Sequence, residues 1–155
     1  MNIQRVDFSK PEHQKAFAAL LNAYMLDDMG MQKPLSSSQA RKVIEDLSQH
    51  PSYLGFMVQN EKEYLALANC FANYSTFAAR RLINIHDFVV HPGHRRKGAG
   101  LFLLSGIAEF AEENGFCRIN LEVRTDNQKA MHLYRKFGFQ ECTPKMFFWQ
   151  KQISL

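Results

Sequence analysis

Cysteine is scarce in this chain: Cys70, Cys117 and Cys142 are the only three in 155 residues. They are odd in number and far apart, and no C-x-x-C pair occurs. A disulfide framework or a zinc knuckle is therefore excluded, and a reducing compartment is the expected home. Long apolar runs are missing too. None reaches the ~20 residues that a bilayer requires, and "MNIQRVDFSKPEHQ" holds no apolar signal-peptide core. Charge of one sign is in short supply: 19 Lys+Arg against 15 Asp+Glu leave a formal +4. Such a mild excess fits a phosphate-bearing ligand and does not by itself imply a nucleic-acid surface. There is no internal repeat or linker-like tract. Hydrophobic residues at 46% supply one sizeable core. The expectation is one soluble, cytoplasmic domain over residues 1–155, monomeric or homodimeric.

What is there reads as alternating strands and helices. "NIQRVDF" alternates apolar and polar residues, as a short strand does. Ser9 as cap, with Pro11 and Glu12 in the first turn, starts a helix carrying Phe17, Leu20, Leu21, Tyr24 and Met25, and Gly30 breaks it. One of the serines of "PLSSS" caps a second helix through Val43, Ile44 and Leu47, ended by His50-Pro51. "YLGFMVQ" and "EYLALANCFANYS" flank the polar turn Asn60-Glu61-Lys62 as a hairpin, and "RLINIHDFVV" is a third β-prone run. A helix with Leu101, Leu104, Ala108 and Ala111 follows, then the strand "FCRINLEVR". Asp126 can cap a helix with Ala130, Leu133, Tyr134 and Phe137, which Gly138 ends, and "KMFFWQKQI" reads as a last strand. This order implies a mixed α/β sheet flanked by helices.

The chemistry concentrates in "HPGHRRKGAG", His91 to Gly100, between a strand and a helix. A helix's first N–H groups lack intrahelical partners, and its dipole is positive there. Small residues at Gly98, Ala99 and Gly100 let a phosphate approach those donors, and Arg95, Arg96 and Lys97 neutralise it. The string is not a P-loop, for no Gly-Lys-Ser/Thr follows, and Leu103 stands where a dinucleotide fingerprint needs glycine. A metal site on His86, His91 and His94 has no carboxylate or thiolate suitably placed, and no known zinc signature occurs. A nucleic-acid contact through Arg95, Arg96 and Lys97 is disfavoured by the shortness of the cluster.

Arg95-x-x-Gly98-x-Gly100 resembles the Q/R-x-x-G-x-G/A phosphate turn of the GNAT family of N-acetyltransferases. "TDNQKAMHLYRKFGF" resembles that family's second signature at Asn127, Ala130, Leu133, Tyr134, Gly138 and Phe139. Seven residues apart, Asn127 and Tyr134 share one helix face. "STFAAR" and "NIHD" are similar to bacterial members of unassigned substrate.

The resemblance implies a mostly antiparallel, splayed sheet of six to seven strands with about four helices. It implies acetyl-CoA as acetyl donor and direct transfer to an amine. Phe88, Val89 and Val90 would form the edge that pairs with pantetheine, and a backbone N–H there can stabilise an oxyanion. Arg95, Arg96, Lys97, Gly98, Ala99, Gly100, Leu101, Asn127 and Tyr134 would complete the coenzyme site. Tyr134 stands in the position of the family's general acid; the competing reading is a core tyrosine beside Ala130 and Phe137.

An alkyl ammonium titrates near ~10.4, so the acceptor needs a base or desolvation. Glu122 in "LEVR" lies twelve residues before Tyr134, as in the ribosomal-protein N-terminal acetyltransferases it resembles. Against that, Glu122 could instead pair with Arg118 or Arg124. Asp87 is the second candidate and His86 the third. Strand alternation sends His86 and Asp87 to opposite faces unless a bulge intervenes. Tyr24, Asp27 and Asp28 suit a cationic acceptor or simply close a solvated helix end, and "STFAARRLIN" is a second candidate wall. Three readings stay open: transfer to a small primary amine, transfer to a protein N-terminus, and a non-catalytic CoA-binding sensor.

Overall fold

The β-branched and aromatic runs find one another in a single sheet. The computed structural model describes residues 1–153. β1 (Asn2–Arg5), β2 (Tyr53–Gln59), β3 (Tyr64–Ser75), β4 (Arg80–Val90) and β5 (Ile119–Leu121) lie side by side in chain order. The first four are antiparallel, and β5 runs parallel to β4. Four helices flank them: α1 (Pro11–Met25), α2 (Ser37–Gln49), α3 (Ala99–Glu113) and α4 (Gln128–Phe137). The mixed α/β architecture and the helix count agree with the sequence pattern. Among the described residues the sheet has five strands, fewer than the expected six to seven.

Alternating residues of each strand separate two cores. Phe56, Val58, Ala66, Ala68, Cys70, Ile83 and Ile85 meet Leu103, Leu104 and Ile107 of α3. Met57, Leu67 and Val89 meet Phe17, Leu20 and Leu21 of α1 on the opposite face, with α2 covering through Val43, Ile44 and Leu47. Full burial of such side chains stabilises by roughly 1.5–3 kcal/mol each.

The caps depart from the sequence pattern in two places. Ser9 does not cap α1. Its hydroxyl and N–H both donate to Asp7 Oδ1, and Lys10 takes the cap position without a side-chain bond. Asn127, not Asp126, caps α4: its Oδ1 accepts the Ala130 N–H at 3.1 Å, while Asp126 pairs with Arg124. Ser36 caps α2 with a full capping box through Gln39.

The expected last strand is also not formed. Residues 145–153 adopt no regular element and pair with no strand among the described residues. A strand is held by a neighbour's hydrogen-bond ladder, and here Met146, Phe147, Phe148 and Trp149 stand exposed instead. Among the described residues no helix is long and apolar enough to cross a membrane.

Candidate active site

β4 and β5 are paired only from Ile83–Ile85 to Ile119–Leu121. Beyond Ile85 and Leu121 they part, and a cleft opens between them. Its walls are His86 and Phe88 of β4, Leu121 to Arg124 beyond β5, Tyr24 and Met29 from the α1 end, and Asn127, Ala130, Leu133 and Tyr134 of α4. The direction of β4's backbone can be followed residue by residue. The His91 N–H bonds β3 at Leu65 O, 2.8 Å away. Alternation therefore points the Val89 N–H to β3 as well, and the Phe88 and Val90 N–H groups toward the gap. Arg95 Nε donating to Val90 O at 3.1 Å agrees with this parity. Of the expected edge Phe88-Val89-Val90, the outer two thus offer donors, and Val89 is a core residue at 3% exposure.

A bulge decides the placing of His86 and Asp87. Asn69 pairs with Asp87 but Cys70 pairs with Ile85, so His86 has no opposite residue. One extra residue cancels the strict alternation. Both side chains consequently reach the α1 face of the sheet. His86 lies against Phe71 at a ring separation of 6.0 Å, and Asp87 Oδ2 accepts from Asn69 Nδ2 at 3.0 Å. The Asn69 amide in turn accepts from the Tyr53 hydroxyl at 2.9 Å. Asn69 is buried, and an amide there must be bonded to be tolerated. Nothing in the apolar periodicity of "YLALANCFANYS" announces this chain. The signal was an asparagine inside a strand pattern.

Tyr134 is buried, its ring edge-on to Phe88 and Phe139. Its hydroxyl bonds no described residue. Yet no fully buried side-chain N or O among the described residues lacks a partner. The oxygen is therefore the part of Tyr134 that meets the cleft. Burial, and then the neighbouring Tyr24 phenol, push its pKa up to about 12. Burial likewise raises Tyr24, with the charges of Asp87 and Asp27 adding to the shift.

Glu122 lines the same cleft and is exposed. The arginines expected to compete for it are engaged elsewhere: Arg118 donates to Asn120, and Arg124 to Asp126. Asp87 is not part of the cleft lining, and neither is Asp28. Asp28 belongs with Asp27, Asn22, His91 and Arg95 to a shallow depression beside it. Met29 is a wall residue that no sequence motif indicated.

The turn after β4 is built as its sequence suggests, with one difference between its glycines. Gly98 caps α3 at φ +88°, and a Cβ there would find nothing closer than 3.9 Å. That is open ground above the helix end. The bond from Phe102 N to Gly98 O is the helix's first, so the Ala99, Gly100 and Leu101 N–H groups have no intrahelical acceptor. Gly100 serves packing instead. A Cβ there would sit 3.1 Å from Leu133 of α4 and 3.4 Å from Val90. Arg96 sits at φ +64°, Lys97 Nζ reaches Gly93 O at 3.0 Å, and Arg95 pairs with Asp27. The histidines of the turn are spoken for: His94 bonds Glu63, and His91 Nδ1 accepts the Gly93 N–H. No group of three metal-ligating side chains occurs among the described residues.

Residues 11–139 match the Acetyltransferase (GNAT) family. The chain belongs to that family. It is 43% identical over 72 residues to streptothricin acetyltransferase of Streptomyces lavendulae, covering 46% of this chain and 38% of that protein. It is 29% identical over 140 residues to streptothricin acetyltransferase A of Bacillus subtilis (strain 168), covering 86% and 78%. The first relatives are thus matched over less than two thirds of their own length. The fold is shared with AAC(6')-Iy in complex with the bisubstrate analog CoA-S-monomethyl-acetylneamine: TM-score 0.77, 14% identity, 98% of each chain.

Proposed function

We propose that this protein transfers the acetyl group of acetyl-CoA directly to a primary amine of a small, cationic molecule. One observation carries the reading: a phenol hydroxyl opens into the gap between β4 and β5, and a helix end with free donors stands at the gap's β4 side.

The coenzyme fits what is present. The pyrophosphate would lie on the Ala99, Gly100 and Leu101 N–H groups above Gly98, where a Cβ would have space but no phosphate could then approach. Arg95, Arg96 and Lys97 immediately precede that point in the chain and would supply the neutralising charge. Pantetheine amides would pair with the Phe88 and Val90 edge, and Asn127 closes the α4 side. In the reaction the amine nitrogen attacks the thioester carbon, the C–S bond breaks, and the thiolate takes a proton. Tyr134 is the donor: at a pKa of about 12 it is fully protonated at neutral pH. An N–H of Phe88 or Val90 offers the oxyanion a donor. Glu122 takes the ammonium proton, because it lines the cleft with no cation among the described residues engaging it, while Asp87 is committed to Asn69. Tyr24 and His86 form the acceptor wall. The relatives named for streptothricin, and the fold neighbour bound to a neamine conjugate, support a polyamine-like acceptor.

Thiol release from acetyl-CoA over a panel of sisomicin, streptothricin, lysine and alanine-ended peptides tests this. Turnover with a small amine is expected. Turnover with peptides alone would make it a protein N-terminal acetyltransferase, and tight CoA binding without turnover would make it a sensor.

A further inference from the structure

The acidic end of α1 has a use that its sequence context did not suggest. Asp27 is not left to face an acceptor. Its Oδ2 takes Arg95 Nη2 at 2.6 Å, across 68 residues of chain. We propose that Asp27 is a positioning residue for acetyl-CoA, holding the Arg95 guanidinium in the orientation that meets the pyrophosphate. The inference rests on the coenzyme reading given above.

Both ends of the pair are fixed. Asp27 Oδ1 accepts the Met29 N–H at 3.0 Å, its own N–H donates to Tyr24 O at 3.1 Å, and its carbonyl takes the Gly30 N–H at 2.8 Å. The carboxylate is thus part of a closed turn rather than a mobile tip. Burial favours its neutral form, but the Met29 N–H and Arg95 outweigh that and hold it below the usual carboxylate range. On the other side Arg95 Nε is tied to Val90 O at 3.1 Å. A guanidinium carries five N–H donors, so two are used and three are free. Two anchors at different atoms hold the planar fork in one orientation and leave three donors for a ligand.

The opposite reading is that Asp27 competes with phosphate and blocks the turn. Arg95 is 42% exposed at its side chain, so solvent and salt screen the repulsion between Asp27 and a phosphate on the far edge of the fork. Ordering a long, free arginine at the moment of binding is the larger cost. The balance favours a preset fork.

Calorimetry with acetyl-CoA on the wild type, Asp27→Asn, Arg95→Ala and the double variant decides it. Asparagine keeps the oxygen that accepts the Met29 N–H, so the local turn survives; circular dichroism checks this. Asp27→Asn is expected to weaken acetyl-CoA about fivefold when Arg95 is present and to change nothing when it is alanine. Unchanged or tighter binding in Asp27→Asn overturns the proposal, as does an equal loss in both backgrounds. A wild type that does not bind acetyl-CoA overturns the coenzyme reading itself, and this inference with it.

Discussion

An ordinary phenol already keeps its proton at neutral pH, and the surroundings of Tyr134 hold that proton more tightly still, so in the proposed acid role the phenol gives it up only to the developing thiolate. Burial disfavours phenolate, and the second phenol at Tyr24 adds to the effect. Tyr134→Phe preserves the ring against Phe88 and Phe139 and removes the proton. Its kcat is expected to fall about a hundredfold or more, with acetyl-CoA affinity within twofold of wild type. Stopped-time thiol assays and calorimetry measure the two; unchanged kcat removes the acid role. The raised pKa has a second consequence. Between pH 10 and 12 the unfolded chain has lost this proton and the native chain has not, so stability falls as pH rises through that window. Below pH 10 the group contributes nothing. Urea titrations at pH 9 and pH 11 are expected to show wild type losing about 1 kcal/mol more than Tyr134→Phe. Equal losses would place the phenol in water.

At the scale of elements, the two glycines of the turn between β4 and α3 differ in their surroundings, one open and one packed. Gly98 has a left-handed backbone and open space, so Gly98→Val strains the helix start and covers the phosphate ground. Acetyl-CoA affinity is expected to drop at least tenfold with a modest fall in Tm, by calorimetry and scanning fluorimetry. Gly100→Val collides with Leu133 and Val90 and is expected to lose about 1–3 kcal/mol of stability, moving α4 and Tyr134 with it. If Gly98→Val binds like wild type, the phosphate lies elsewhere.

The elements also show where the sequence was readable. The strand-to-helix turn with Gly98 at its end, and the placing of Asn127 and Tyr134 along one cleft, were legible because local spacing on one helix, or at one helix end, fixes such relations. The faces of His86 and Asp87 were not, since a bulge depends on how β3 and β4 register against each other. Asp27 read as either an acceptor contact or a solvated helix end and is neither, because its partner Arg95 comes from a turn that only the tertiary fold brings near. "KMFFWQKQI" has the composition of a strand, but composition does not supply a neighbour to pair with.

At the scale of the whole molecule, the cleft and the depression beside it draw on pieces that nothing local holds together, the β4 edge, the α4 face and the end of α1, and the α3 start packs against two of them at Val90 and Leu133. A ligand that touches all of them ties both faces of the sheet into one unit, and its binding energy adds to the stability of the native state alone. Acetyl-CoA at a hundred times its Kd adds about 2.7 kcal/mol, which for a chain of this size raises Tm by roughly 5–10 °C. Tyr134→Phe is expected to keep nearly the whole shift, Asp27→Asn to lose about a third of it, and Gly98→Val to lose about half or more. In the proposed site cations meet phosphates at an exposed turn, so the shift is also expected to shrink between 50 and 500 mM salt, roughly as exposed ion pairs weaken. Scanning fluorimetry across this series reads all four proteins at once. A shift that survives undiminished in Gly98→Val, or one that ignores salt, would mean that the coenzyme is held by some other part of the molecule.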